Sequence, residues 1–368
     1  MTAGDGLVEV VALSLFLGRG RFRRALLESP ADAAGDQRQG VDLERAAARF
    51  RELPSPLRPE GRRCRERAAR LLEVGAAGGI EAIGWSDSRY PARLAALDDR
   101  PPVLWLKGDA TTLARPAVAI VGSRAATRYA VAVAERLAGD VGGAGIAVVS
   151  GCARGVDAAA HRGALGGGGA TIAVLGSGVD VIYPAEHARL AASIAETGAV
   201  VSELPPGTPP RRHHFPRRNR LISGLANGVV VVEAGARSGS LITARHAAEQ
   251  GREVMAVPGN VLSGRSAGGH ALIRDGAAIV ETADDILEAM GSGRIGAGSP
   301  PGAAPTESPD PVLRLMDPGE TCGVDELIER SGLDSASLLL RLTELEIAGR
   351  VERAGAGRFV RSRRGMLV

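Results

Sequence analysis

Lysine is almost missing from this chain. Of its 368 residues only Lys107 is a lysine, and it follows no glycine-rich loop. A Walker-type phosphate loop needs a lysine directly after its glycines, so ATP hydrolysis by that route is excluded. Cysteine is nearly as scarce. Cys64, Cys152 and Cys322 are far apart and make no C-x-x-C, which argues against a disulfide framework and against a zinc site. Aromatic residues amount to 3%, so a core must be assembled from Ala, Val, Leu and Ile. Long apolar runs are missing too. The one near the start, residues 7–17, is short and broken by Glu9, so neither a signal peptide nor a membrane span is expected and the chain reads as cytoplasmic.

What is present is enough apolar residue, 45%, to bury a core. The net charge is +3, and nearly all the positive charge is arginine, the better residue for bidentate contacts with phosphate. Length predicts two or three domains. Residues 1–75 show helical spacing, with Gly18 and Gly20 in a turn that suits a small helical domain of helix–hairpin–helix type. Residues 76–115 read as a bridging segment packed on the core, ending in a strand at 103–107. In 116–290 apolar strands alternate with helices. Strands are expected at 118–121, 147–150, 171–175, 199–202, 229–233, 253–257 and 278–280. Helices are expected at 129–140, 156–165, 185–196, 221–225, 240–250 and 267–274. This alternation predicts an α/β fold, a doubly wound and mostly parallel Rossmann-like sheet with ligands beyond the C-terminal strand ends. Residues 291–310 are rich in Gly, Pro and Ser and read as a flexible linker. Residues 311–368 show three helical stretches and a hairpin around Gly355 and Gly357, a winged-helix pattern.

Several places in 116–290 carry chemistry. Gly122-Ser123-Arg124 follows the first core strand, where a small residue admits a phosphate to the backbone and Arg124 brings charge. In SGCARGVDAAAH, residues 150–161, Gly151 and Gly155 permit a tight strand-to-helix turn. Asp157 suits a helix cap, stabilising by about 1 kcal/mol, a ligand for a ribose hydroxyl, or a partner for Arg124. His161 lies one turn further along the same face. A catalytic Asp–His pair needs a nucleophile or a metal. The sequence offers neither, so Asp157 and His161 are read as structural. Gly176-Ser177-Gly178 lacks the third glycine of a dinucleotide site, and no cofactor is expected.

The window 211–220, RRHHFPRRNR, holds five Arg, two His and one Phe. Pro209, Pro210 and Pro216 stiffen it, and it reads as a loop presenting cations to a nucleic-acid backbone and a ring to a base. Ser238-Gly239-Ser240 opens a helix, where hydroxyls cap the helix or hold a phosphate. Glu233, at the end of the preceding strand, is the nearest carboxylate. It suits a base or an ordering partner for arginines.

Residues 116–287 resemble the DprA/Smf family, DNA-processing protein A. The runs that carry the resemblance are, in order, VAIVGSR, SGCARGVDAAAH, IAVLGSGVDVIYP, VSELPPGTPP, FPRRNRLISGL, VVVVEAGARSGSLITARHAAEQGREVMAVPGN and GGHALIRDGA. The resemblance implies an extended Rossmann fold that binds single-stranded DNA without catalysis. It implies loading of RecA recombinase, displacement of single-strand-binding protein, support of natural transformation, and a homodimer built through the Rossmann domain. By motif position it implies a DNA pocket of Gly122, Ser123, Arg124, Gly151, Arg154, Arg212, Phe215, Arg217, Asn219 and Arg220. Ser238 and Ser240 add their hydroxyls, and Asp157, His161 and Glu233 order the pocket. The N-terminal region resembles the family's small helical domain, with GRGRFRR in place of its usual Gly-Ile-Gly hairpin. The fold also resembles phosphoribohydrolases acting on nucleotide monophosphates. Their Pro-Gly-Gly-x-Gly-Thr loop is replaced here by EAGARSGSLITA, which favours a binding protein. Glu233 and Arg220 keep the enzyme as the alternative.

Overall fold

Valine and alanine recur along the central strands with no polar break, because both faces of the sheet they form are covered. The computed structural model describes residues 3–18, 42–291, 310–316, 321–348, 350–355 and 357–361. The chain divides into two compact units. One is Met1–Ala126 with Val133–Arg294, and the other is Thr127–Ala132 with Ile295–Val368.

The first unit contains a nine-stranded sheet. In chain order its strands are β1 (Glu81–Gly84), β2 (Val103–Gly108), β3 (Ala117–Gly122), β4 (Ala147–Ser150), β5 (Thr171–Val174), β6 (Ala199–Ser202), β7 (Gly228–Val232), β8 (Glu253–Ala256) and β9 (Ala278–Ile279). Across the sheet they run β1-β2-β6-β5-β4-β3-β7-β8-β9. The neighbours from β6 to β9 pair in parallel, whereas β1–β2 and β2–β6 are antiparallel. The chain moves outward from β3 through β4, β5 and β6, then returns to lay β7 on the other side of β3. At that reversal the loops leaving β3, β4 and β7 part and leave a crevice.

Two expectations need correction. Residues 76–115 were expected to give one strand and give two. EAIG is too short, and too close to Gly78 and Gly79, to show a period of its own. It nevertheless pairs with β2 from Glu81↔Leu106 to Gly84↔Val103, so the segment widens the sheet. The basic window is also not a loop. A helix runs His214–Leu225, where the spacing predicts one only from 221. Pro216 misleads here. It falls in the first helical turn, where a missing N–H breaks no intrahelical bond.

In the same unit, helices Ala3–Leu17, Leu43–Arg51 and Arg58–Ala77 share a core. Phe16 and Phe50 meet edge to face at 5.3 Å, and Arg65 lies over Phe50 while pairing with Glu9 at 2.6 Å. The glycine turn and second helix expected over GRGRFRRALLE lie, after Gly18, outside the described residues, as do residues 292–309 of the linker. The second unit has β10 (Thr321–Gly323), β11 (Val351–Gly355) and β12 (Arg358–Arg361) in the order β10-β12-β11. With helices Pro311–Arg314, Val324–Ser331 and Ser335–Ile347 this is the expected winged-helix pattern. Arg341, the one arginine of its last helix, is engaged by Asp310 and by Glu344 at 2.6 Å. No helix among the described residues is long and apolar enough to cross a membrane.

His161 fixes the helix Val156–Gly166 to the sheet below the crevice. Its Nδ1 is 2.7 Å from the Thr171 hydroxyl, which donates to the Val148 carbonyl at 2.7 Å. That commits the hydroxyl hydrogen, so Nδ1–H of the histidine is the donor. Burial pushes this imidazole from 6.5 down to about 3. Between those values the unfolded chain takes up a proton that the folded chain refuses. Stability therefore falls as pH drops through this window, by up to about 1.4 kcal/mol per pH unit from this group. A His161→Gln variant, which retains a donor, is expected to show a flatter pH dependence of unfolding free energy between about pH 6 and pH 4. Urea melts at stepped pH measure this, and an unchanged slope would count against the assignment.

Candidate functional site

Three turns close around the crevice at the sheet reversal: Gly122-Ser123-Arg124 after β3, residues 151–155 after β4, and residues 235–240 after β7. They are joined through backbone. Ser123 N–H donates to the Glu233 carbonyl at 2.9 Å, and the Ser123 carbonyl accepts from Val156 N–H at 3.2 Å. Two non-glycine residues of this frame have left-handed backbone, Cys152 at φ 56° and Glu233 at φ 51°. Each costs about 1 kcal/mol or more, and such strain persists where surrounding structure over-determines it. Gly122 is required because a Cβ there would run into the Val232 carbonyl and Val156.

The helix His214–Leu225 roofs the crevice. Its residues Phe215, Arg218, Asn219 and Ile222, spaced i, i+3, i+4 and i+7, line a cavity of about 750 Å³ together with Gly122, Ser123 and Arg124. Arg212 lines it from the turn before the helix, and Ser238 and Ser240 from the far side. The Ser238 and Ser240 hydroxyls are 2.7 Å apart at the N-terminus of helix Ser240–Glu249. Asn219 spans the gap by donating to the Gly239 carbonyl at 3.2 Å. Phe215 is half-buried. The Arg124 guanidinium lies over its ring at 5.4 Å, and Tyr183 stands at 5.6 Å on the ring's other contact.

Arg218, which the sequence reading counts in the basic window but not among the pocket residues, lines this cavity. It is 4% exposed, and its Nε and Nη1 have no hydrogen-bond partner. It packs so closely on Gly151 that a Cβ there would collide with the guanidinium. Burial lowers its pKa, opposed by the Asp157 charge, and burial raises the pKa of Asp157 although Arg218 and Arg124 oppose that. Desolvation therefore outweighs attraction for both groups. Asp157 is not a helix cap, because the N-cap is Gly155. Its carboxylate accepts from Ala153 N–H at 3.3 Å and braces the turn beneath Arg218. The helical spacing of 215, 218, 219 and 222 is the pattern that identifies Arg218 once the window is read as helix.

The remaining expected residues do not join this cavity. Arg154 pairs with exposed Glu186 at 2.6 Å. Arg217 and Arg220 occupy the other side of the helix. Arg217 lies 3.8 Å from Glu203, and Arg220 pairs with Glu203 at 2.5 Å and Asp99 at 3.3 Å. Glu233 is 3.8 Å from Arg265, outside the basic window it was expected to order.

The chain matches the family described as DNA recombination-mediator protein A over residues 81–291, and a DprA winged helix domain over residues 297–357. It is 43% identical over 286 residues to Protein Smf of Escherichia coli, covering 75% of each chain. It is 42% identical over 319 residues to a putative DNA processing protein DprA of Mycobacterium tuberculosis, covering 79% of this chain and 82% of that one. The X-ray structure of DNA processing protein A from Streptococcus pneumoniae matches with a TM-score of 0.58 at 36% identity, over 77% of this chain and 93% of that one. A Helicobacter pylori DNA processing protein A structure, reported for its single-stranded DNA binding mode, matches with a TM-score of 0.52 at 29% identity, over 57% and 94%.

Burial of Arg218 and Asp157 without mutual satisfaction predicts that the two groups are not retained for stability. An Asp157→Asn/Arg218→Met variant is expected to unfold at the same or a higher free energy, by up to about 4 kcal/mol. Chemical denaturation measures it, and a clear loss would make the pair structural.

Proposed function

Since the chain belongs to the DprA/Smf family of DNA-processing proteins, we propose that the crevice at the sheet reversal binds single-stranded DNA. One observation carries this reading. A buried guanidinium, Arg218, has two nitrogens without acceptors beneath a cavity that Arg124 and Phe215 also line. Phosphate oxygens are the acceptors such a site lacks, and the backbone N–H groups at the Ser240–Glu249 helix N-terminus favour the same charge. Phe215 offers its ring to an unstacked base, whose face is covered in a duplex. Nothing in this set reads base edges, so little sequence preference is expected.

The finer role follows the family. The protein loads RecA onto single strands, displaces single-strand-binding protein and acts in natural transformation, in the cytoplasm and as a homodimer through its Rossmann domain. The exposed Ile279 on edge strand β9 supports a partner at that end of the sheet. A hydrolase reading has less support, since Glu233 is turned to Arg265 and is not among the residues lining the cavity.

Fluorescence anisotropy with labelled oligo-dT and a matched duplex, at two salt concentrations, is the direct test. Wild type is expected to prefer the single strand, with a slope of about −0.7 in log affinity against log salt for each phosphate held. An Arg124→Ala/Phe215→Ala variant is expected to bind about tenfold to a few hundredfold more weakly, from one stacking contact and one charge. Equal affinity for duplex and single strand would remove the proposal. For the finer role, the protein is expected to shorten the lag of RecA assembly on strands precoated with single-strand-binding protein, and an unchanged lag would withdraw it.

A further inference from the structure

The helix that roofs the first crevice has a second charged side. His214, Arg217 and Arg220, at helical spacing, face a cleft of about 960 Å³. Its far wall is formed by the N-terminal helices, which contribute Arg67 and Leu15. Pro216 and Ile242 line both the crevice and this cleft, so the two openings share one wall. Among the described residues that line it, five arginines, Arg67, Arg100, Arg211, Arg217 and Arg220, face two carboxylates, Asp99 and Glu203. Those carboxylates are committed. Glu203 holds Arg220 and approaches Arg217, and Asp99 holds the Nε side of Arg220.

Arg220 is 8% exposed, and even with both carboxylates its Nη1 is buried without a partner. A buried guanidinium nitrogen left without an acceptor is unfavourable, and an acceptor oxygen supplied by a ligand would relieve it. The two carboxylates hold Arg220 in the wall of the cleft.

We propose that this cleft is a second phosphate subsite for the same single strand, and that the N-terminal helices contact DNA through Arg67. The proposal rests on the reading of the first crevice as a DNA site. A strand leaving that crevice crosses Pro216 and Ile242, rounds a helix about 10–12 Å across with its side chains, and meets Arg211, Arg217 and Arg67 on the other side. Leu15 on the far wall and Pro216 and Ile242 on the shared wall give bases apolar surface, while the arginines follow the backbone.

The test uses the full chain and labelled oligo-dT of about 6 and about 20 nucleotides, the shorter fitting one opening and the longer reaching both. Arg67 and Arg211 are exposed, so an Arg67→Glu/Arg211→Glu variant does not disturb the core. The variant is expected to bind the longer strand about tenfold more weakly, with a salt slope shallower by about 0.7 per lost phosphate contact, and the shorter strand within about twofold of wild type. Unchanged binding of the longer strand would overturn the proposal and leave the cleft to another ligand class, such as an acidic peptide. Equal weakening of both lengths would also overturn it, by placing these arginines at the first crevice. Failure of wild type to bind either length would instead remove the DNA reading of the crevice itself, and this proposal with it.

Discussion

A guanidinium sealed against a glycine, with two nitrogens lacking acceptors, sets the terms for the rest of this site. Arg218 can sit there only because Gly151 has no side chain. It reaches that place only because the helix begins early, at His214, and delivers it from the second turn. Asp157 is near enough to oppose the charge electrostatically but is itself desolvated, so it moderates Arg218 without satisfying it. An arrangement of this kind adds little to stability, and on the proposed reading its use lies in what it holds ready for an anion.

The sheet reversal turns that readiness into a site. Parallel strands β3, β4 and β7 aim three turns at one place, and Ser123 joins those turns through both its N–H and its carbonyl. The left-handed backbone at Cys152 and Glu233 lies in the same frame. Strain of this kind is tolerated where neighbouring strands and helices hold the ends of each turn, as the parallel ladders do here. The helix above has two basic sides. One carries Phe215, Arg218 and Asn219, the other Arg217 and Arg220, so its first turns divide two charged spaces while Leu221, Ile222 and Leu225 further along enter the core.

Much of this was legible in the residues. The seven core strands stand out because each is short and mostly apolar and is bounded by glycine or a turn, and the glycine positions mark the turns that close on the crevice. β1 was not legible, since EAIG is indistinguishable from a loop until Leu104, Trp105 and Leu106 of β2 supply a partner. The start of the arginine helix was hidden by Pro216, which signals a break in an interior and permits a start in a first turn. That one misreading had consequences for the site. As a loop, the window 211–220 reads as a presented strip of cations. As a helix it sends Arg218 inward and turns Arg220 toward Glu203 and Asp99. Sequence spacing also offered Asp157 a capping role among others, but the N-cap position falls to Gly155 with no side-chain cap, because side-chain direction in a tight turn depends on neighbours far along the chain.

The missing acceptors of Arg218 have a consequence for the lifetime of the molecule. If a ligand alone completes those bonds, occupancy and folding are linked equilibria. A ligand that binds only the folded chain, present at about a hundred times its dissociation constant, adds about 2.7 kcal/mol to stability. The empty protein is then the most fragile form, and the one that opens most often to proteases. On the proposed reading, the supply of single strands would thereby also set how long the protein persists.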